Sequence, residues 1–432
     1  MCGWSATVAT ALATRPSLLG WPNLSALVVF APFVLYTWLA IDARARVGDT
    51  RPEQIARQRR FQVRMFLATL LPFAMFVVIS WSIGLVPTLR VNIENVALFG
   101  GLFSLALIAT AIAVLPWLLR RTWDTHPMPA GVTRTTLEGF ARAIGFECRE
   151  LVVWNTGFQM ANAAVVGIGR GKLVVFSDLL LSQLPPRELL AVFAHEIGHV
   201  AKHHVVVFVA WSMAFFIGAD LAAVWLAVDD QWLALAVLAA TVAGWYFAFG
   251  WFSRRSELDA DLHSIAVTGD VDAMVSALEI VGGPHSRAQK SWRHFSTARR
   301  VEFLRDVQRD ASIGTRLQRK LRRIGAVGVV FGALAIAAEA WTLSRSYRED
   351  EVRVLLALDA SADAVAALRR IDDPDAELAR LVALANSPPV EAARLEDLSA
   401  LANDARTCGD LLLAADLYTL AQLRGVTGLD AQ

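Results

Sequence analysis

Charged residues are scarce in this sequence of 432 residues: they make up 19%, whereas soluble globular proteins contain about 25%. Cysteine is almost absent as well, and Cys2, Cys148 and Cys408 lie far apart in the chain. Such scattered cysteines, odd in number, exclude a disulfide framework and a cysteine-rich metal site. Hydrophobic residues make up 55% and there are 14 Trp, whose indole rings favour the lipid headgroup region. The composition therefore predicts a membrane protein.

A strong charge of either sign is also missing. The formal net charge is +1, and no basic stripe alternates with aromatic residues, so the sequence excludes a nucleic-acid partner. No basic segment precedes the first apolar stretch, and Arg15 and Pro16 interrupt residues 1–22. We therefore expect the first membrane span to remain as an anchor and not to be removed as a signal peptide.

Apolar stretches of about 20 residues are long enough to cross a bilayer as helices. The six candidates lie near 23–41, 65–87, 96–119, 205–227, 232–252 and 324–344. Arginines concentrate in some of the connecting segments, with seven of them in 42–64. By the positive-inside rule the cytoplasmic segments are 42–64, 120–204 and 253–323. The N-terminus and the segment after 344 then face the other side.

The polar segments predict a small α+β region. Residues 151–154 and 162–176 have the pattern of strands, and Gly169-Arg170-Gly171 supplies the turn of a hairpin. A helix is predicted to start at Pro185-Pro186, to run through 204 and to enter the fourth span. The tail, 345–432, has no Phe or Trp and more acids than bases, which predicts four or five short helices. One pair of them has the spacing of a single tetratricopeptide-like unit, but one unit alone cannot bury its own face, so the favoured interpretation is a solvated helical tail.

The segment AVFAHEIGHVAKHH (191–204) carries the clearest chemical signal. His195 and His199 are four residues apart, so on a helix both imidazoles can reach one metal ion. Glu196 is predicted to be a catalytic base that takes a proton from the attacking water. A catalytic zinc site has three protein ligands and an open position. A third histidine six residues after His199 is absent, because Val205 stands there.

The third ligand is predicted in SRRSELDAD (253–261), which follows the fifth span on the same side of the membrane. Glu257 is the candidate ligand. Asp261, one helical turn later, is expected to accept a hydrogen bond from a ligating imidazole. Asp259 fits a solvated helix face better than Glu257 or Asp261 does. His204 is interpreted as a packing residue near the membrane interface.

Several segments in this order resemble the membrane gluzincin peptidases that include the HtpX-type quality-control proteases and the CAAX prenyl endopeptidases. The resemblance covers 150–305. It includes NAAVVGIGRGKLVVFSDLLL (162–181), HEIGH followed by His204, ELDAD (257–261), HSIAVTGDVDAMVSALEIV (263–281) and HFSTARRVEFL (294–304). The last segment departs from the family pattern, since Phe295 stands where proline is usual.

The resemblance implies roles for further residues. His294 is expected to donate a hydrogen bond to the developing oxyanion, and Arg300 is a weaker candidate for the same role or for contact with the site. Asn162 opens the strand that could accept substrate as an added extended strand.

These expectations define a mainly α, polytopic membrane protein with about six transmembrane helices, a cytoplasmic α+β zincin-like metalloprotease domain and a helical C-terminal tail. The predicted regions are a three-span membrane region at 1–122, the two parts of the metalloprotease domain at 123–204 and 253–323, the transmembrane hairpin 205–252 between them, the last span at 324–344, and the acidic tail at 345–432.

The predicted function is that of a zinc-dependent endopeptidase with one zinc ion per chain. It would act on membrane or membrane-associated polypeptides at the cytoplasmic face of a bacterial inner membrane. Two alternatives stay open: a CAAX-type processing endopeptidase, and a non-catalytic membrane scaffold with a structural zinc site. The expected surroundings are the lipid bilayer, and the tail is a candidate binding site for a protein partner.

Overall fold

The computed structural model describes residues 34–41, 52–84, 91–93, 96–167, 169–225, 231–286, 294–372, 374–391 and 397–424, together with 32, 43, 86, 89 and 393. These residues are mainly helical, with one small sheet. They fall into two compact units. The first unit contains 30–73 and 111–338, and the second contains 74–110 and 339–424.

Ten helices are used in describing the first unit. They are α1 (Pro52–Gly84), α2 (Ala97–Thr122), α3 (Val132–Ala143), α4 (Asp178–Gln183), α5 (Pro186–Ala201), α6 (His204–Trp225), α7 (Gln231–Thr268), α8 (Val271–Ser286), α9 (Thr297–Arg309) and α10 (Ser312–Ala357). The last residues of α1 and α10 and the first residues of α2 belong to the second unit.

The sheet has four strands in the order β1-β2-β4-β3. Its strands are β1 (Thr125–Pro127), β2 (Glu150–Trp154), β3 (Ala163–Val166) and β4 (Leu173–Ser177). The central pair β2–β4 is parallel, and the two outer pairs are antiparallel. The predicted hairpin is confirmed as β3–β4, with Gly169 at φ 59°, a backbone conformation that favours glycine. Strand β1 was not predicted.

Helix α5 packs against one face of this sheet. Phe193 is fully buried and meets Phe176 of β4 edge-on, with ring centroids 5.7 Å apart. The helix begins at Pro186, as expected from the tolerance of the first turn for proline. The apolar face of α5 thus fixes the helix on the sheet, and the opposite face carries the histidines.

The prediction that this helix continues into the fourth span is wrong. Helix α5 ends at Ala201, and α6 begins at His204. Between them His203 has φ 54°, a left-handed conformation that a continuing α-helix does not allow. The break lets His204 turn back towards the last turn of α5.

Helix α7 crosses α5 at close range. A Cβ on Gly198 would lie 3.1 Å from Ala260 Cα and 3.0 Å from His263 Cβ, so only glycine allows this approach without a shift. The first part of α7 is the predicted fifth span, and its last part carries Glu257. The crossing therefore brings the ELDAD segment beside the HEIGH segment.

Among the described residues, three helices are long and apolar enough to cross a membrane: His204–Ala222, Trp232–Thr268 and Ser312–Leu343. They contain most of the predicted fourth span and the whole of the fifth, and all but the last residue of the sixth. The first span, 23–41, lies mostly outside the described residues. The second and third coincide with parts of α1 and α2 and stay predictions, so the count of six is not confirmed.

The second unit has its own core. In the tail this unit contains α11 (Ser361–Leu368), α12 (Ala376–Ala385), α13 (Pro388–Glu391), α14 (Asp397–Thr407) and α15 (Leu411–Leu423). Buried Leu378, Leu398 and Leu420 lie in one hydrophobic cluster. Arg380 of α12 pairs with Asp416 of α15 at 3.0 Å. The tail is therefore a packed helical region, whereas the sequence favoured a solvated one. The tetratricopeptide-like unit and the binding of a partner stay predictions.

Candidate metal centre

Three predicted ligands come together at the crossing of α5 and α7. The Nε2 atoms of His195 and His199 lie 3.2 Å apart. Glu257 places Oε2 3.6 Å from His195 Nε2 and Oε1 3.7 Å from His199 Nε2. Their candidate ligand atoms all lie within 4.8 Å of one another.

These separations fit a metal ion. Ligands bound to tetrahedral zinc at about 2.0–2.1 Å lie about 3.3 Å from one another. The measured separations of 3.2 to 3.7 Å are close to that value. Two imidazoles and one carboxylate also form the donor set that catalytic zinc sites use. The residues present therefore fit a zinc ion.

Both imidazoles have partners on their other nitrogen. Nδ1 of His195 lies 2.9 Å from Asp261 Oδ1, although the contact is poorly aligned for a hydrogen bond. Nδ1 of His199 lies 2.9 Å from Nδ1 of His204, whose Nε2 lies 3.3 Å from Asp259 Oδ2. Asp261 favours a proton on Nδ1 of His195, and Asp259, acting through His204, favours one on Nδ1 of His199. Both Nε2 atoms are then left as lone-pair donors to an ion.

The interpretation of Asp259 as solvated is wrong. Its exposed fraction is 5%, and that of His204 is 3%. Sequence reasoning missed this pair because it assigned the two residues separately to a helix face and to the membrane interface. The available signal was the spacing of His204, five residues after His199, together with a second carboxylate two residues after Glu257.

Arg300 lies beneath the two carboxylates of α7. It donates two hydrogen bonds to Asp261, from Nε at 2.9 Å and from Nη2 at 2.5 Å. Its Nη1 lies 3.4 Å from Glu257 Oε2. Burial opposes the charged form, but Asp261 outweighs it and raises the pKa of Arg300 above its usual value. The guanidinium thus neutralises part of the negative charge behind the metal ligands.

Glu196 occupies the same helical turn as the two histidines. Burial raises the pKa of its carboxyl group to about 7, while the positive charge of His195 acts in the opposite direction. A group that exchanges a proton near neutral pH suits general acid–base catalysis. The environment of Glu196 is therefore compatible with its predicted role as a base.

Of the remaining predicted site residues, His294 lies beside the cluster and Asn162 lies at the edge of the sheet. His294 Nδ1 lies 3.3 Å from Glu257 Oε2, and its side chain is 48% exposed, so it borders the cluster. Asn162 lies at the start of the edge strand β3, where its backbone N–H and C=O bond to Ser177. Among the described residues, none of its hydrogen bonds reaches the histidines. The roles of both residues stay predictions.

The two histidines differ in proton affinity, which predicts a pH-dependent metal affinity. Burial opposes a charge on His195, but Asp261 and Glu257 overcome it and raise its pKa to about 10. Burial lowers the pKa of His199 to about 3. At pH 7 the metal-free site therefore holds a proton on His195 that an ion must displace. We expect release of about one proton per zinc ion, and about tenfold tighter binding per pH unit between pH 6 and 9.

Calorimetric zinc titrations of the full chain in two buffers with different ionisation enthalpies measure this proton release. Glu196, with its pKa near 7, adds about half a proton at most if it ionises beside the bound ion. The Glu196→Gln variant removes that contribution and serves as the control. Binding without proton release would contradict the protonated state of His195.

Comparison with known proteins agrees with this geometry. Residues 129–402 match the family described as Peptidase family M48, which is more than half of the chain. The chain belongs to peptidase family M48. Its predicted resemblance to the peptidases that include HtpX-type and CAAX-type enzymes is thereby confirmed. The expectation of a metal-dependent hydrolase is confirmed at the level of the family.

Individual relatives of this M48 chain include two kinds of protease. A protease HtpX homologue of Aeropyrum pernix is 32% identical over 204 residues, which are 41% of this chain and 62% of that protein. A CAAX prenyl protease 1 homologue of Oryza sativa subsp. japonica is 31% identical over 125 residues, which are 28% of this chain and 29% of that protein. The chain thus spans less than two thirds of either relative.

A solved structure also resembles this M48 chain. The crystal structure of S. mikatae Ste24p aligns with 69% of this chain and 87% of its own, at 17% identity and a TM-score of 0.39.

Proposed function

We propose that the chain is a zinc-dependent endopeptidase that hydrolyses peptide bonds of membrane or membrane-associated proteins, in the manner of HtpX-type quality control. The triangle of donor atoms from His195, His199 and Glu257 is the observation that carries the proposal. Its separations suit one zinc ion, and a carboxyl group with a pKa of about 7 lies on the same helical turn.

The metal ligands and Glu196 have different roles in the proposed reaction. A zinc ion held by the donor triangle would supply Lewis acidity towards a water molecule and the scissile carbonyl. Glu196 takes a proton from the water as its oxygen attacks the carbonyl carbon. It then gives the proton to the leaving nitrogen as the C–N bond breaks, and the products are a carboxyl group and an amine.

Two further groups would hold the substrate. His294 is the candidate donor to the oxyanion, because its exposed ring borders Glu257. Strand β3 is an edge of the sheet, so its outer backbone groups can pair with an extended substrate. Asn162 opens this edge and is the candidate contact at its first position.

The cytoplasmic side is the proposed location of the site. Arg254 and Arg255 follow the predicted fifth span, and four further basic residues lie at 319–323 before the sixth. The proposed site residues lie on the HEIGH helix, before the fifth span, and between these two groups of basic residues in the sequence. Because basic flanks favour the cytoplasmic side, we assign the split metalloprotease domain to it. The assignment to a bacterial inner membrane rests on the similarity to the HtpX proteases of Thioalkalivibrio sulfidiphilus and Pseudomonas putida.

A CAAX-type processing enzyme is the second candidate, favoured by the similarity to the rice relative. The two candidates differ in substrate. An HtpX-like enzyme should cut unfolded proteins without a lipid, whereas a CAAX-type enzyme should cut only a prenylated C-terminal peptide. The non-catalytic scaffold is less well supported, because a structural zinc site has no use for a carboxyl group with the environment of Glu196.

Metal removal tests the proposed function. We expect the purified full chain to cleave an unfolded test protein, a chelator to abolish cleavage, and one equivalent of zinc to restore it. Product formation on gels and zinc content by atomic absorption are measured together. The His199→Ala variant should bind zinc at least 100-fold more weakly and should not recover.

Three outcomes would change the conclusion. Cleavage that resists the chelator, with zinc shown to be absent, would contradict a metal-dependent reaction. Cleavage of a farnesylated peptide alone would favour the processing enzyme. Retention of one zinc per chain with no cleavage of either substrate would favour the scaffold.

A further inference from the structure

One cavity of the first unit lies apart from the metal centre. It has a volume of about 430 Å³ and is lined by residues of α1, by Asp124 and by the loop 155–158. Three of the lining residues are arginines, and we call the cavity the arginine pocket. They are Arg57, Arg60 and Arg64, spaced so that they share one face of α1.

The arginine pocket has an excess of positive charge. Arg64 forms an ion pair with Asp124 at 2.7 Å. Arg57 and Arg60 have no hydrogen-bond or ion-pair partner among the residues that the structure describes. Three guanidinium groups therefore face one carboxylate, which leaves two positive charges. Guanidinium groups bind phosphate oxygens in a paired geometry, so this excess suits a phosphate-bearing ligand.

The opposite wall presents an apolar group. Phe158 is 56% exposed and has φ 60°, a conformation that non-glycine residues rarely adopt. Its N–H donates to Asp178 Oδ2 at 3.0 Å, and the Thr156 hydroxyl donates to Asp178 Oδ1 at 2.5 Å. These bonds hold the loop in the conformation that keeps the phenyl ring at the edge of the arginine pocket. Strained backbone of this kind is found preferentially where a ligand is bound.

The sequence places the arginine pocket at the level of lipid headgroups. After Arg64, α1 carries no charged residue as far as Gly84. In the same way, α2 carries none before Arg120 and Arg121, and Asp124 follows its end. Both helices therefore change from uncharged to charged at the level of Arg64 and Asp124. Such a change marks the boundary between acyl chains and headgroups.

We propose that the arginine pocket binds the phosphate headgroup of an anionic membrane lipid. Arg57 and Arg60 pair with the phosphate, and Phe158 contacts the glycerol and the first methylene groups. The ligand class follows from the combination of unpaired guanidinium groups, an exposed phenyl ring and a position at the headgroup level. The site is independent of the metal centre and of the activity proposed for it.

Lipid titration of the delipidated full chain in detergent tests this proposal. The probes are dioctanoyl phosphatidylglycerol, dioctanoyl phosphatidylcholine and inorganic phosphate, with binding measured by calorimetry. We expect phosphatidylglycerol to bind more tightly than the other two. Each guanidinium near an anionic headgroup contributes about fivefold in affinity, so Arg57→Gln with Arg60→Gln should weaken phosphatidylglycerol binding about 25-fold.

Arg59→Gln is the matched control, because Arg59 lies between these residues in sequence but stacks on Trp38 instead of lining the pocket. It should change the affinity less than twofold. Unchanged thermal unfolding without lipid establishes that the double variant is folded. Equal phosphatidylglycerol affinity of the parent and the double variant would overturn the proposal. So would equal binding of phosphatidylcholine or of inorganic phosphate by the parent.

Discussion

Replacing Glu196 with glutamine is expected to lower kcat for peptide hydrolysis by about 10²- to 10⁴-fold while one zinc ion per chain is retained. Glutamine has nearly the same shape as glutamate, but it cannot take a proton from water. Burial already raises the pKa of this carboxyl group to about 7, so its proton affinity matches the step that it would perform. Cleavage rates of an unfolded test protein and zinc content, measured on the same preparations, check the prediction.

Glu188→Gln is the matched control for this substitution. Glu188 lies on the same helix α5, also has low exposure at 9%, and stands outside the donor triangle. We expect its rate to stay within about twofold of the parent. A Glu196→Gln variant that cleaves at the parent rate would exclude Glu196 as the base. Loss of zinc together with activity would show that Glu196 supports the metal site instead.

The metal-binding pair on α5 could be predicted because it depends only on local geometry. Residues four apart on a helix share a face whatever surrounds them, so His195 and His199 converge without tertiary information. Glu257 lies 58 residues after His199, and its nomination needed the order of the spans and the family resemblance. The structure brings its carboxylate within 3.7 Å of both histidines. The close crossing at Gly198 provides this approach, and no periodicity in the sequence encodes it.

Other features could not be predicted because they depend on single backbone angles or on contacts distant in sequence. The helix break after Ala201 arises from the positive φ of His203, for which the sequence HHV gives no signal. Strand β1 has three residues and forms only by pairing with β2, about 25 residues later, so it has no pattern of its own. The burial of Asp259 depends on His204 turning back at that same break.

Replacing Arg300 with methionine is expected to weaken zinc binding by about 10- to 100-fold and to destabilise the metal-free chain by about 3–5 kcal/mol. Arg300 contacts both Asp261 and Glu257, and the exposed fraction of its side chain is 12%. Without it, two buried carboxylates repel each other, and Asp261 loses the bonds that hold it beside His195. Chelator competition measures the zinc affinity, and thermal unfolding of the metal-free chain measures the stability.

Arg299→Met is the matched control, because Arg299 is the neighbouring residue on α9 but is 58% exposed and pairs with Glu302 in the same helix. An exposed pair of this kind contributes about 0–1 kcal/mol, so neither affinity nor stability should change much.

Arg300→Lys should recover part of the stability, since it keeps the charge, but less of the zinc affinity, since it cannot make the paired contact with Asp261. Equal zinc affinity in Arg300→Met and the parent would mean that Asp261 is held in place without the guanidinium. If Arg300 only positions Asp261 and Glu257, kcat of the Arg300→Met variant at saturating zinc recovers towards the parent value. If Arg300 touches the substrate, kcat of the variant stays low at every zinc concentration.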